Sequence, residues 1–315
     1  MRRVCSVSVD VDPIACYYRI HGLSAPPAAL ADVVMRRGVP RFVELFTRRR
    51  IPATFFLVGQ CLQADSGRAA AGELARAGFE LGNHTDTHPY ELARLSRSQI
   101  AREIEDAHER IAAAAGKEHA PVGFRAPGYD VSPSVLDVLA ELGYRYDSSL
   151  FPSPPYYLAK AGVMLAMVLR GRTSGSVMGD PRALLAPAQP YRPDLAAPWR
   201  RGQAPMVELP VAVAPGTRLP LIGTSIVLLP TALRARLLEW MRARSFFNLE
   251  LHGLDLIDAD EDGIPAALVA RQPDLRRPLS HKRRALEATL DRLALEYEFA
   301  PLRQVAADVQ REGRV

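Results

Sequence analysis

The sequence predicts an α/β fold assembled from parallel βα units. Three observations carry that prediction: strand-like and helix-like runs alternate along the chain, one strand is apolar almost throughout, and polar motifs fall where strands end. The run Ala53-Thr-Phe-Phe-Leu-Val58 is the kind a sheet covered on both faces requires. With 315 residues, 48% apolar and 24% charged, the chain suits one large domain over 1–315.

Residues 4–11 alternate small polar and branched side chains and read as a strand. A loop is expected over 13–38, then a helix over 39–50, where Val39, Phe42, Val43 and Phe46 recur at helical spacing. After the strand at 53–58 come a helix at 67–77, a short strand at 79–82 and a long helix at 96–115. Ser96 with Gln99 three residues on fits a capping box. A strand at 122–124 precedes a helix opened by Ser132 and Pro133 and stopped at Gly143. Strands at 144–147, 206–213 and 246–251 and helices at 231–244 and 280–297 complete a set of about seven strands. Both open sheets and barrels made this way collect their chemistry at the C-terminal strand ends.

Residues 151–205 break the alternation and read as an insertion rich in Pro and Gly. Its apolar patch, 161–169, is too short to span a bilayer. A buried helix is one reading. The other is a helix over 156–172 on a membrane face, with Lys160, Arg170 and Arg172 beside it.

The formal charge is only +5, with 35 acidic residues interspersed among 40 basic ones, so no nucleic-acid surface is expected. Cys5, Cys16 and Cys61 are odd in number and form no C-x-x-C pair, which suits a reducing compartment. The opening MRRVCSVSVDVDP reaches Asp10 without an apolar stretch of signal-peptide length, so a cytoplasmic location is expected.

Asp10 and Asp12 stand two apart at a strand end and project to one face. Such a pair repels itself unless a cation or arginine separates it; an ordinary strand-end turn is the alternative. His84 and His88 can address one ion if their segment makes a helical turn, and carboxylate with imidazole suits zinc, cobalt or nickel. Two solvent-facing loop histidines are the plainer reading, which the placing of two of seven histidines in one loop weakens. In Phe124-Arg-Ala-Pro-Gly-Tyr-Asp130 a tight turn offers backbone N–H groups, and Arg125 suits a carboxylate partner. Tyr129 and Asp130 are candidates for touching substrate. His252 ends the apolar run Leu249-Glu-Leu, where it can act as an acid near neutral pH. His21, His108, His119 and His281 lack such settings and read as surface residues.

In this order, Asp-x-Asp, His-x-x-x-His, Arg-x-Pro-Gly and Leu-x-Leu-His resemble the NodB-homology polysaccharide deacetylases, carbohydrate esterase family 4. The resemblance covers about 4–151 and 206–301. It implies a distorted (β/α)7 barrel with an inserted segment. It also implies one divalent transition metal, zinc first, held by Asp12, His84 and His88. Asp10 would be the base and His252 the acid, with Arg125 orienting Asp10. The Gly128 N–H would help hold an oxyanion, and Asp147 in Tyr146-Asp-Ser-Ser149 would tune His252. Asp10-Val11-Asp12 replaces the family's adjacent aspartates, as in a branch with intracellular amide deacetylases and lipid-sugar deformylases. The implied substrate is an N-acylated amino sugar, either free or lipid-linked. A cyclic-amide hydrolase and a non-catalytic metal- or carbohydrate-binding relative are the rivals.

Overall fold

The computed structural model describes residues 3–312. From the N-terminus, β1 (Val4–Val11) is followed by α1 (Ile14–Ile20), α2 (Val39–Arg49), β2 (Ala53–Leu57), α3 (Asp65–Arg76) and β3 (Glu80–Asn83). Then come α4 (Arg97–Ala115), β4 (Gly123–Phe124), α5 (Pro133–Glu141), β5 (Tyr146–Asp147) and α6 (Pro154–Val168). An antiparallel hairpin of β6 (Pro193–Asp194) and β7 (Ala197–Arg201) precedes β8 (Val207–Glu208), α7 (Gly223–Leu228) and α8 (Thr231–Met241). The chain closes with β9 (Phe246–His252), α9 (Ala266–Val269), α10 (Leu279–Ala294), β10 (Glu298–Phe299) and α11 (Leu302–Glu312).

The main sheet is a curled (β/α)7 arrangement in the order β9-β1-β2-β3-β4-β5-β8, every paired strand parallel to its neighbour. β10 pairs with Val4 and Cys5, before β2 begins at Val7. Between β8 and β9 the sheet is drawn together by the Ala212 N–H on the Asn248 carbonyl (3.0 Å) and the Asn248 amide on the Leu209 carbonyl (3.1 Å).

Strand alternation divides the barrel into two environments. Cys5, Val7, Val9 and Val11 of β1, Phe55 and Leu57 of β2, and Phe247, Leu249 and Leu251 of β9 share one core with Phe42 and Phe46 of α2. Rings of Phe42, Phe46, Phe55 and Phe79 meet at centroid distances from 5.3 to 6.4 Å. Each such ring contributes about 1.5–3 kcal/mol by leaving water. The alternate residues Ser6, Ser8 and Asp10 stand in register with Asn248, Glu250 and His252. They form a largely buried polar column, tolerable because its members find partners: Ser8 with Asn248, Glu250 with His252, Ser6 with the Ala300 carbonyl and Asp10 with Arg125.

The capping box at α4 is present: Ser96 accepts from the Gln99 N–H while the Gln99 side chain returns to the Ser96 N–H at 3.0 Å. Residues 13–38 are not the plain loop expected. α1 and a π-helical turn at Val34–Gly38 occupy it, because Ile14, Cys16, Tyr17 and Tyr18 turn inward within a segment too short for a strong periodic signal. The strand expected at 206–213 is regular only at Val207–Glu208. α11 was not expected, although Leu302, Val305 and Val309 recur at helical spacing and Leu302 and Val305 are buried.

A candidate metal centre and active site

Of the residues singled out in the sequence, Asp10, Asp12, His84, His88, Arg125 and His252 gather at the C-terminal ends of β1, β3, β4 and β9. Asp12 Oδ1 lies 3.2 Å from His84 Nε2 and 3.2 Å from His88 Nε2. Asp12, His84 and His88 are all buried, and neither Asp12 Oδ1 nor either His88 ring nitrogen has a hydrogen-bond partner. Buried polar atoms in that state are costly unless something shared satisfies them. A carboxylate oxygen and two imidazole nitrogens converging on one point fit a divalent transition cation.

The histidine loop reaches this geometry without a helical turn. Thr85 (φ 66°) and His88 (φ 57°) are left-handed, and the Thr85 hydroxyl accepts the His88 N–H at 3.1 Å. Glu103 on α4 accepts the Thr87 N–H at 2.8 Å, and Arg19 on α1 donates to the His88 carbonyl at 2.7 Å. His84 Nδ1 donates to the Arg125 carbonyl at 2.6 Å, which leaves Nε2 as its free donor atom. Burial opposes charge on Asp12, but the two imidazoles outweigh it and hold the carboxyl well below its usual range. Burial pulls His88 below the ordinary imidazole value, favouring the neutral ligand form.

Asp10 projects to the same face and is clamped. Arg125 Nη1 donates to Asp10 Oδ1 at 2.6 Å, while Nη2 reaches Ser8 Oγ (3.0 Å) and Ser148 Oγ (2.8 Å) and Nε the Ser148 carbonyl (2.9 Å). The guanidinium lies 4.3 Å from the Phe56 ring centroid and is fully buried. It can therefore fix one Asp10 oxygen and leave the other, 3.9 Å from His84 Nε2, facing the metal position.

His252 Nε2 is 4.0 Å from Asp12 Oδ2, and its Nδ1 meets Glu250 Oε1 at 3.1 Å. Burial opposes the imidazolium, yet Glu250 and the two aspartates prevail and push the His252 pKa up to about 9. Asp147 does not take the expected part of tuning His252. It accepts from Ser149 Oγ at 2.5 Å and stands in register with Glu208, burial pushing Asp147 up to about 6 and Glu208 well above its usual range. Glu250 takes that part instead. The signal for it was present, since Glu250 and His252 are two apart on one strand, as Asp10 and Asp12 are.

Gly128 (φ 64°) and Tyr129 (φ 63°) make the turn after β4, a conformation that glycine adopts without strain. The Tyr129 hydroxyl donates to Glu250 Oε1 at 2.9 Å, so Tyr129 holds Glu250 besides lining the cavity. That cavity, about 290 Å³, includes His252, Tyr17 and Tyr156 in its wall. Asp130 is absent from it and faces a separate cleft with Arg94 and Trp199. The left-handed turn at Gly128 and Tyr129 redirects the chain there, so Asp130 is not among the groups around His252. The remaining histidines are half-buried rather than surface residues; His21 contacts Gln272 at 2.8 Å and His281 the Val227 carbonyl at 3.0 Å.

Lys160 of α6 is half-buried, 5.8 Å from the Tyr157 ring centroid, and burial lowers its pKa to about 8 against the opposing charge of Asp130. After reductive methylation with labelled formaldehyde, the Lys160 signal should titrate near 8 in carbon NMR. A midpoint near 10.5 would mean that Lys160 points to solvent.

Residues 29–146 match the family model described as polysaccharide deacetylase. Over that stretch the chain is similar to the polysaccharide deacetylase family. It is 28% identical over 154 residues to a peptidoglycan deacetylase of Helicobacter pylori, covering 48% of this chain and 51% of that protein. To a chitooligosaccharide deacetylase of Rhizobium leguminosarum bv. phaseoli it is 33% identical over 72 residues, 23% of this chain and 31% of the relative. The matched stretches thus span about half or less of these relatives' own length. A crystal structure of a candidate polysaccharide deacetylase from Mycobacterium smegmatis superposes with a TM-score of 0.62 at 19% identity, over 99% of this chain and 91% of that one. This likeness carries the fold. His84, His88 and Arg125 lie inside the family match; Asp10, Asp12 and His252 lie outside it and are joined to them by β1 and β9.

Proposed function

We propose that this protein hydrolyses the amide of an N-acylated amino sugar with a divalent metal, zinc first and cobalt or nickel as alternatives, held by Asp12, His84 and His88. The observation that carries the reading is the buried, unpartnered Asp12 Oδ1 at 3.2 Å from both imidazole nitrogens. When bound, the cation supplies Lewis acidity toward the amide carbonyl and water. Asp10, held by Arg125, takes the proton from the attacking water. The Gly128 N–H steadies charge on the carbonyl oxygen. His252, kept protonated beside Glu250, delivers a proton to the departing amine. The test is acetate or formate release from N-acetylated and N-formylated glucosamine oligosaccharides by zinc-loaded protein. Ring opening of cyclic imides with no acyl release from any sugar would move the assignment to the cyclic-amide rival.

A lipid-linked version of that substrate is favoured by α6. Leu158, Val163, Leu165, Val168 and Leu169 are 74, 56, 59, 62 and 79% exposed, with Tyr157 and Met167 turned inward. Tyr156, in the first turn of this helix, lines the His252 cavity. Among the described residues no helix is long and apolar enough to cross a membrane, so the helix would lie on the bilayer surface. Because Lys160 is half-buried, the apolar face more than a basic flank would supply the affinity, with Arg170 exposed at its end. Native protein should sediment with anionic phosphatidylglycerol liposomes, and the Val163→Asp, Leu165→Asp, Val168→Asp variant should remain in the supernatant. Equal, negligible binding by both would return the assignment to a soluble sugar.

A further inference from the structure

The cavity that borders His252 has a second polar wall, made by residues outside the hydrolytic cluster. Asp274 is 1% exposed; its Oδ1 accepts from the Gln272 amide at 2.5 Å, and its Oδ2 has no hydrogen-bond partner. Gln272 is itself fixed by His21 at 2.8 Å, so the carboxylate is held in place. Lys282 Nζ stands 4.0 Å from Asp274 Oδ2, but it donates to the Ile257 carbonyl at 2.8 Å and leaves that oxygen unserved. The Tyr17 hydroxyl on α1 is likewise buried without a partner. Both residues line the same cavity, together with the rings of Tyr129 and Tyr156.

Two orphaned polar atoms on residues that line one cavity are a standing cost that an occupant with matching groups removes. The occupant must donate to Asp274 Oδ2 and can either donate to or accept from Tyr17. An anionic group would meet the Asp274 and Asp255 side chains, both in this wall. A neutral ring with adjacent hydroxyls on its edge and an apolar face for the tyrosines has the required chemistry.

We propose that Tyr17 and Asp274 form a sugar-recognition subsite, Asp274 Oδ2 accepting from one ring hydroxyl and Tyr17 bonding to a neighbouring one. This rests on reading the His252 end of the cavity as the hydrolytic end. The subsite explains how a neutral hydroxyl-bearing sugar would be selected over a small amide lacking hydroxyls.

Calorimetry on the full chain, freed of metal so that turnover does not intervene, tests it with two probes, N,N′-diacetylchitobiose and N-cyclohexylacetamide. Wild-type protein should prefer the sugar. Tyr17→Phe and Asp274→Asn should each weaken sugar binding by about tenfold or more and change N-cyclohexylacetamide binding less than about threefold. Tyr17→Phe removes one oxygen and leaves the Lys282 surroundings intact, so it serves if Asp274→Asn folds poorly. Unchanged sugar binding in both variants, or no preference in the wild type, would overturn the subsite. If the variants lose the sugar while zinc-loaded wild type releases no acyl group from it, the hydrolytic reading fails and the subsite stands. If acyl release proceeds and the variants bind normally, the subsite alone fails.

Discussion

Purified with zinc, the wild-type chain should carry about one ion, and the His84→Ala, His88→Ala double variant should carry almost none, since one carboxylate cannot retain a transition metal against water. The variant should stay folded. The polar column of Ser8, Asn248, Ser148 and Arg125 lies on other side chains, and the hydrophobic layer between sheet and helices does not include either histidine. Elemental analysis beside circular dichroism checks this. Full occupancy in a folded double variant would remove the two histidines from the metal site.

The second large effect belongs to Asp10. Asp10→Asn keeps the shape and an acceptor oxygen for Arg125 but removes basicity, so turnover should fall by about a hundredfold or more. Zinc content should hardly change, because Asp10 is engaged by Arg125 at 2.6 Å and stands outside the proposed Asp12, His84 and His88 ligand set. The variant also loses the buried ion pair with Arg125, and breaking such a pair costs about 3–5 kcal/mol when the remaining charge is stranded. Arg125 keeps Ser8 and Ser148 as acceptors, which softens that loss. Turnover is therefore measured per folded, zinc-loaded chain. Near-normal turnover on that basis would reject Asp10 as the base.

The sequence was most legible where a local rule and the tertiary fold agree. The β1 alternation announced both the apolar layer and the Asp10–Asp12 pair, and the Ser96–Gln99 box announced α4. Periodicity failed where burial is local to a short segment. The inward residues of α1 occupy barely two turns, and α7 and α9 are shorter still. The site was legible in its residue types and only in part in its pairings. The two-residue spacing of Glu250 and His252 on one strand pointed to their pairing, whereas the place of Asp147 beside Glu208 rests on the register of β5 against β8. Asp130 follows Tyr129 directly in sequence, yet the consecutive left-handed residues Gly128 and Tyr129 send the two side chains to different cavities. Tyr17 and Asp274 were out of reach for the same reason, since residues 257 positions apart meet only through the barrel.

The central claim is that Asp12, His84 and His88 share one cation. X-ray absorption at the zinc edge of the reconstituted protein tests it most directly. The account predicts a shell of light donors at about 2.0–2.1 Å with the outer scattering of two imidazoles, and the loss of that scattering in the His84→Ala, His88→Ala variant. A shell containing sulfur at about 2.3 Å, or an all-oxygen shell without imidazole scattering, would contradict it.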